Sequence, residues 1–174
     1  MNLLATLRDQ DIILGSPEFP TDNFFSRVAA RAIVADENSA VALLHGAKHS
    51  YHKLPGGGVE TGEDLAIALG REIREEIGCE AEVTGEIGRI DEYRGEWKFY
   101  QQSYCYLAKL TGEKGAPEFT QEELDEGLEV VWAESIEAAI AILKADQPTN
   151  YDGKFIHVRD LLLLETAKQS VVSP

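Results

Sequence analysis

The stretch Ser26 to Ala35 is rich in strand-compatible residues, and Val41 to His45 is a second short apolar run, with Asp36 to Ser39 supplying turn residues between them. This pattern predicts two paired strands. Glu80 to Tyr93 and Trp97 to Leu110 are enriched in Val, Ile, Tyr and Phe and are separated by Arg94, Gly95 and Glu96, which predicts a long hairpin. In its second arm, alternation places Phe99, Gln101 and Ser103 on one side and Tyr100, Gln102, Tyr104 and Tyr106 on the other, and the tyrosine side is expected to be buried. Leu128 to Trp132 reads as a further strand, followed by Ser135 as an N-cap candidate for a helix over Ile136 to Leu143. A last helix is predicted from about Lys154 to Ala167, with Ile156, Leu161, Leu164 and Ala167 sharing part of one face, widened by Leu162 and Leu163. Between the first strands and the hairpin, the loop Leu54 to Glu63 feeds a helix over Asp64 to Ile77. Strands with helices between and after them imply an α/β fold, a mixed sheet sandwiched by helices.

The chain has 174 residues, 44% of them hydrophobic, which suits one compact domain with a real core, and no repeat or linker divides it. A single domain over 1–174 is therefore expected. No segment reaches the roughly 18 apolar residues of a membrane span, and Met1 to Leu14 mixes Arg8, Asp9, Gln10 and Asp11 among its aliphatics, unlike a secretory leader. A cytoplasmic protein without a membrane partner is the expectation. Cys79 and Cys105 sit in apolar surroundings without metal-like spacing and read as buried free thiols. The formal charge of −15 argues against a nucleic-acid partner, because duplex binding needs a basic surface. An acidic protein that handles phosphates needs metal as mediator, although scattered acids such as Glu113, Glu118, Glu134 and Glu137 read simply as solvated.

The glycines of Leu54-Pro-Gly-Gly-Gly-Val-Glu-Thr-Gly-Glu63 let the main chain approach a ligand or metal closely. Thr61 with Asp64 resembles a capping pair. On the helix that follows, Glu75 falls about 60° to one side of Glu72 and Glu76 about 40° to the other, so three carboxylates crowd one arc. Ala66, Leu69, Ile73 and Ile77 occupy the neighbouring arc and are expected to face the core. Like charges so spaced repel by a few tenths of a kcal/mol, roughly, per pair, and an oxygen-rich cluster suits Mg2+ or Mn2+. Alone, Arg71-Glu-Ile-Arg-Glu-Glu76 would pass for a solvated helix in which Arg71 and Glu75 form an ordinary i,i+4 pair. The preceding glycine loop changes that balance.

Taken together, Gly57, Glu63, Arg71-Glu72-Ile73, Glu75-Glu76 and Gly78-Cys79, at their spacings, resemble the Nudix box. The departure is Cys79, where an aliphatic residue is usual; Cys is itself a small hydrophobe. The resemblance implies a Nudix-type α/β/α sandwich and a hydrolase in which water attacks a phosphorus of a diphosphate linkage. It implies that Glu72, Glu75 and Glu76 hold Mg2+, with Mn2+ as alternative, helped by the carbonyl of Gly56. Arg71 would orient these carboxylates. Glu63, which must precede the helix to join the site, would be a supporting acid or additional ligand, with a solvent-exposed loop carboxylate as the alternative. The general base comes from the box or a distal acidic loop; in Phe119 to Glu126, Glu122, Glu123 and Glu126 compete, and Glu123 is the residue carried into the site. Outside the box, Arg27 and Arg31, on one face of their strand with Ala29 and Ile33, and Lys53 are candidate substrate-binding residues, each with ordinary ion pairing as an equal alternative.

The leading expectation is hydrolysis of a nucleoside triphosphate or another nucleoside diphosphate derivative, in nucleotide-pool sanitation for instance. Hydrolysis of ADP-ribose or a nucleotide sugar is the alternative within the same chemistry. No proline downstream of the box before Pro117 marks an ADP-ribose hydrolase, and Tyr93 and Tyr100 do not match the tyrosine mark of diadenosine polyphosphate hydrolases. A nucleotide-sensing regulator without catalysis and an isomerase are readings of other classes; the complete glutamate set weighs against the sensor. The apolar C-terminal helix would serve a homodimer interface as readily as the core.

Overall fold

A computed structural model of the chain describes residues 1–172. The elements run β1 (Leu3–Arg8), α1 (Asp9–Ile12), β2 (Phe25–Ala35), β3 (Val41–Gly46), β4 (Tyr51–Lys53), β5 (Gly56–Gly58), α2 (Leu65–Ile77), β6 (Glu80–Arg94), β7 (Phe99–Thr111), α3 (Gln121–Asp125), β8 (Leu128–Ala133), α4 (Ile136–Ala145) and α5 (Tyr151–Val172). Eight strands form one mixed sheet in the order β1-β6-β7-β2-β3-β4, with β5 on β2 and β8 on β3.

Alternation along the central strands builds two cores. Ile33, Leu43 and Cys105 face Leu143 of α4 and Phe155, Leu163 and Leu164 of α5. Ala32, Val34 and Leu44 face Leu69, Ile73 and Ile77 of α2. The sheet is therefore sandwiched, α2 on one face and α4 with α5 on the other, as the sequence pattern implied. No helix among the described residues is long and apolar enough to cross a membrane. Both cysteines are buried free thiols.

Several local expectations need correction. The strands on either side of the Asp36 turn meet only at Ala35↔Val41. The flanks of β2 are taken by β7, parallel from Phe25↔Phe99 to Ala35↔Lys109, and by the short antiparallel β5. Beyond the Ala35↔Val41 pair, β3 leaves β2 and zips onto β8 and β4. The hairpin of β6 and β7 forms as expected, but its buried side carries Gln101, Ser103 and Cys105, while the tyrosine side is half-buried. A polar network explains the inversion and is described below. The N-cap of α2 is Asp64, whose side chain accepts from the N–H groups of Ala66 and Ile67, and Thr61 has no part in it. The acidic loop coils into α3, capped by Thr120, and the last helix begins at Tyr151 rather than near Lys154.

Candidate active site

A cleft of about 850 Å3 lies between α2 and the first half of α5, floored by β2, β5 and β7. One wall is the box. Arg71 uses all five of its N–H donors there: Nε (2.9 Å) and Nη2 (3.0 Å) on Glu63, Nη2 (3.0 Å) on the Gly58 carbonyl, and Nη1 on Glu72 (2.8 Å) and Glu75 (3.0 Å). These bonds tie the loop to the helix and set two carboxylates side by side. The Arg71 guanidinium, aided by the Glu60 N–H, holds the Glu63 carboxyl at about 2. Glu63 itself lies behind Arg71 and is absent from the cleft lining.

Glu76 is 2% exposed; its Oε1 accepts from Lys53 Nζ at 2.7 Å and its Oε2 from the Gly56 N–H at 2.6 Å. Gly56 is needed there because its φ of 132° and its approach to the Ala30 backbone leave no space for a Cβ. Gly57 has a different duty: a Cβ there would lie 2.4 Å from Glu72 Oε1, so the carboxylate rests directly on bare backbone. Burial, and then the neighbouring Glu76, push the Glu72 carboxyl above its usual range. Gly57→Ala is accordingly expected to displace the flexible end of Glu72, lowering activity by about 10- to 100-fold with little change in Tm. Steady-state kinetics beside calorimetry checks this.

Apart from Arg31, the residues of the opposite wall are not among those expected from the sequence. Arg31, Arg94, Arg159, Gln101 and Asp152 line it. Behind them Glu92, wholly buried on β6, accepts from Arg94 Nη2 (2.8 Å), Gln101 Nε2 (2.8 Å), Ser103 Oγ (3.1 Å) and Arg159 Nη1 (3.3 Å). This network is what turns the polar side of β7 inward. Burial alone would raise the Glu92 carboxyl, but Arg159, Arg94 and Arg31 outweigh it and hold it at about 2. Asp160 pairs with Arg159 at 2.6 Å and accepts the Leu54 N–H at 2.9 Å, tying the start of the glycine loop to α5. Arg31 donates to the Gly56 carbonyl at 2.8 Å and leaves Nε without a partner; burial, followed by Arg159, lowers its guanidinium to about 10.

Of the residues expected from sequence, Arg27, Arg31, Lys53, Gly56, Arg71, Glu72, Glu75, Glu76 and Glu123 all line the cleft. Lys53 is engaged by Glu76, and Arg27 lies against Gly58. Glu126 is drawn to Lys48 at 3.1 Å, away from the cleft, and Glu122 is also absent from its lining. Glu118, read as merely solvated, does line it, because its N–H bonds the Glu75 carbonyl at 2.6 Å and docks this segment on α2. At the mouth, Phe25 and Phe99 stack with centroids 6.0 Å apart, beside Trp97.

Among the described residues no three His, Cys, Asp or Glu side chains are gathered as a ready metal cage. The reason is visible: Arg71 and Lys53 draw the carboxylates to themselves. The donors nevertheless suit a hard divalent cation, since all are oxygens.

The NUDIX domain family model matches residues 25–153. Among solved structures, a NUDIX hydrolase from Nitrosomonas europaea is 14% identical with a TM-score of 0.63, over 84% of this chain and 90% of that one. The E. coli ORF135 protein is 22% identical with a TM-score of 0.60, over 88% and 96%. A UDP-X diphosphatase is 18% identical with a TM-score of 0.57, over 93% and 70%. These likenesses show a shared fold. No match is found among curated proteins.

Proposed function

The chain belongs to the NUDIX family, and from that premise we propose that it is a pyrophosphohydrolase that cleaves the diphosphate linkage of a nucleoside triphosphate or related nucleoside diphosphate derivative in a Mg2+-dependent reaction. The observation that carries this reading is the meeting, in one cleft, of the glutamates of α2 with a wall of arginines and an aromatic mouth.

Glu72, Glu75 and Glu76, with the Gly56 carbonyl, would hold Mg2+, which when bound would supply positive charge to the phosphates and lower the pKa of a bound water. Arg71 orients Glu72 and Glu75 from behind and, with every donor used, has none left for substrate. Arg31, on the far wall with its Nε free of any partner, offers positive charge to phosphate oxygens, and Arg159 supports that wall from behind through Glu92 and Asp160. We assign Glu123 as the base, since of Glu122, Glu123 and Glu126 it is the one that lines the cleft. Its Oε2 accepts from the N–H (2.8 Å) and hydroxyl (2.9 Å) of Thr120, which leaves Oε1 to take a proton from the water as the phosphorus–oxygen bond to the leaving phosphate breaks.

The test is a hydrolysis screen with Mg2+ and with chelator over nucleoside triphosphates, oxidised guanine nucleotides, ADP-ribose, nucleotide sugars and dinucleoside polyphosphates. Metal-dependent release of a nucleoside monophosphate or pyrophosphate from a nucleoside triphosphate is expected. Turnover confined to ADP-ribose or nucleotide sugars would move the substrate class. Tight nucleotide binding without turnover would replace the enzyme with a sensor.

A further inference from the structure

The segment 1–24 lies outside the family match over 25–153, yet one of its residues reaches the machinery of the cleft mouth. Asp9 is 3% exposed although it is charged. Its Oδ2 accepts the Gly95 N–H at 2.6 Å, and its Oδ1 accepts the Tyr151 hydroxyl at 2.6 Å. A buried carboxylate bridging two elements in this way fixes their relative position, because each of its hydrogen bonds is charge-assisted.

Gly95 opens the single turn of 3-10 helix, Gly95–Trp97, that joins β6 to β7. The turn is closed by the Lys98 N–H on the Gly95 carbonyl at 3.1 Å. From the same N-terminal segment, Phe19 covers Gly95 so closely that a Cβ there would lie 2.1 Å from its ring. Trp97, at the end of the turn, is 53% exposed and lines the cleft. Its indole is backed by the Tyr151 ring, with centroids 5.2 Å apart, and Tyr151 is backed in turn by Phe155 at 5.3 Å. Asp9 thus holds both the backbone that carries Trp97 and the ring that supports it. A large exposed indole so firmly anchored at a cleft mouth is unusual for a residue that serves only the core.

We propose that Asp9 is a positioning residue for substrate recognition: through Gly95 and Tyr151 it holds Trp97 as the flat wall on which the heteroaromatic base of the substrate stacks. The N-terminal segment is then part of the recognition site. This inference rests on the substrate being a nucleotide, as argued above. A flat π-surface recognises any base, so stacking on Trp97 contributes affinity with little base preference, of the order of tenfold or more.

Trp97 and Trp132 are the only tryptophans of the chain. In a Trp132→Phe background the emission therefore reports Trp97 alone. AMP, GMP, CMP and UMP are titrated into this protein in the presence of chelator, and steady-state kinetics are run on the matching nucleoside triphosphates with Mg2+. Saturable quenching by the monophosphates is expected, weakened about tenfold by Asp9→Asn and less by Tyr151→Phe, which keeps the supporting ring and removes one hydrogen bond. KM should rise in parallel, with kcat within about twofold of the parent. Tyr151→Phe carries the test if Asp9→Asn does not fold. Unchanged quenching and KM in the folded variants, or a fall in Tm without either, would reduce Asp9 to a structural tie and overturn the proposal. So would hydrolysis by the parent protein with no Trp97 quenching. Quenching that depends on Asp9 in a protein that hydrolyses none of these nucleotides would uphold the stacking wall and refute only the hydrolase reading.

Discussion

Glu75→Gln is expected to lower kcat by about 10³-fold or more while leaving Tm within about 2 °C of the parent. The two halves of this expectation have separate causes. Glu75 is 43% exposed and accepts one hydrogen bond, from Arg71 Nη1 at 3.0 Å. Arg71 keeps its bonds to Glu63, Glu72 and Gly58, so the isosteric amide leaves neither a buried charge nor a void. Stability should hardly move. The activity loss follows from charge: a divalent cation supplies several kcal/mol of electrostatic stabilisation, and each ~1.4 kcal/mol is tenfold in rate. Glu76→Gln is a poorer probe, since Glu76 is buried on Lys53 and the Gly56 N–H and its loss would disturb the loop as well. Measurement of kcat at saturating Mg2+, beside calorimetry of the same preparations, separates these effects.

Arg159→Met should produce the opposite signature, with the largest change in stability. Arg159 is fully buried on Glu92 and Asp160, and removing one partner of a buried ion network costs about 3–5 kcal/mol because the remaining charges are left uncompensated. For a chain of this length that corresponds to a fall in Tm of about 10 °C. The effect carries a pH signature. The Glu92 carboxyl, ordinarily at 4.5, is held at about 2 in the folded chain, with Arg159 the strongest of the forces that lower it. A depressed carboxyl stabilises the folded state fully above its unfolded value and loses that contribution as pH falls through its folded value. The Tm gap between parent and Arg159→Met should therefore be widest at neutral pH, begin to close below about pH 4.5 and be much reduced near pH 2. A gap that stayed constant from pH 7 to pH 3 would mean that packing of the Arg159 side chain, rather than its charge, stabilises this wall.

The box wall of the cleft was legible in the sequence and, Arg31 apart, the arginine wall was not, for a physical reason. Gly57, Glu63 and the glutamates of α2 act within one loop and one helix, where spacing alone brings them together. Glu92, Arg94, Gln101 and Arg159 converge from β6, β7 and α5, and nothing in their spacing says which acid meets which base. A signal did exist. Arg159 and Asp160 stand directly before Leu161 to Leu164 in a helix packed on the core, where charged residues persist only if paired. The same network overrode the expectation that the tyrosines of β7 would be buried and put Gln101 and Ser103 there instead. Similarly, the strand pattern of Val41 to Gly46 was plain, but nothing in it says that its main partner is the distant β8 rather than the neighbouring β2. Asp9 gave least warning, because its partners Gly95 and Tyr151 are far away in the sequence.

The central claim is that the carboxylates of α2 hold the divalent metal. It is tested most directly by Mn2+ binding to the folded protein, followed through the electron paramagnetic resonance signal of the free ion, in the parent and in a Glu72→Gln, Glu75→Gln double variant. The account predicts saturable binding by the parent, lost in the double variant together with hydrolysis. Equal Mn2+ affinity in both proteins would contradict it and place the metal elsewhere.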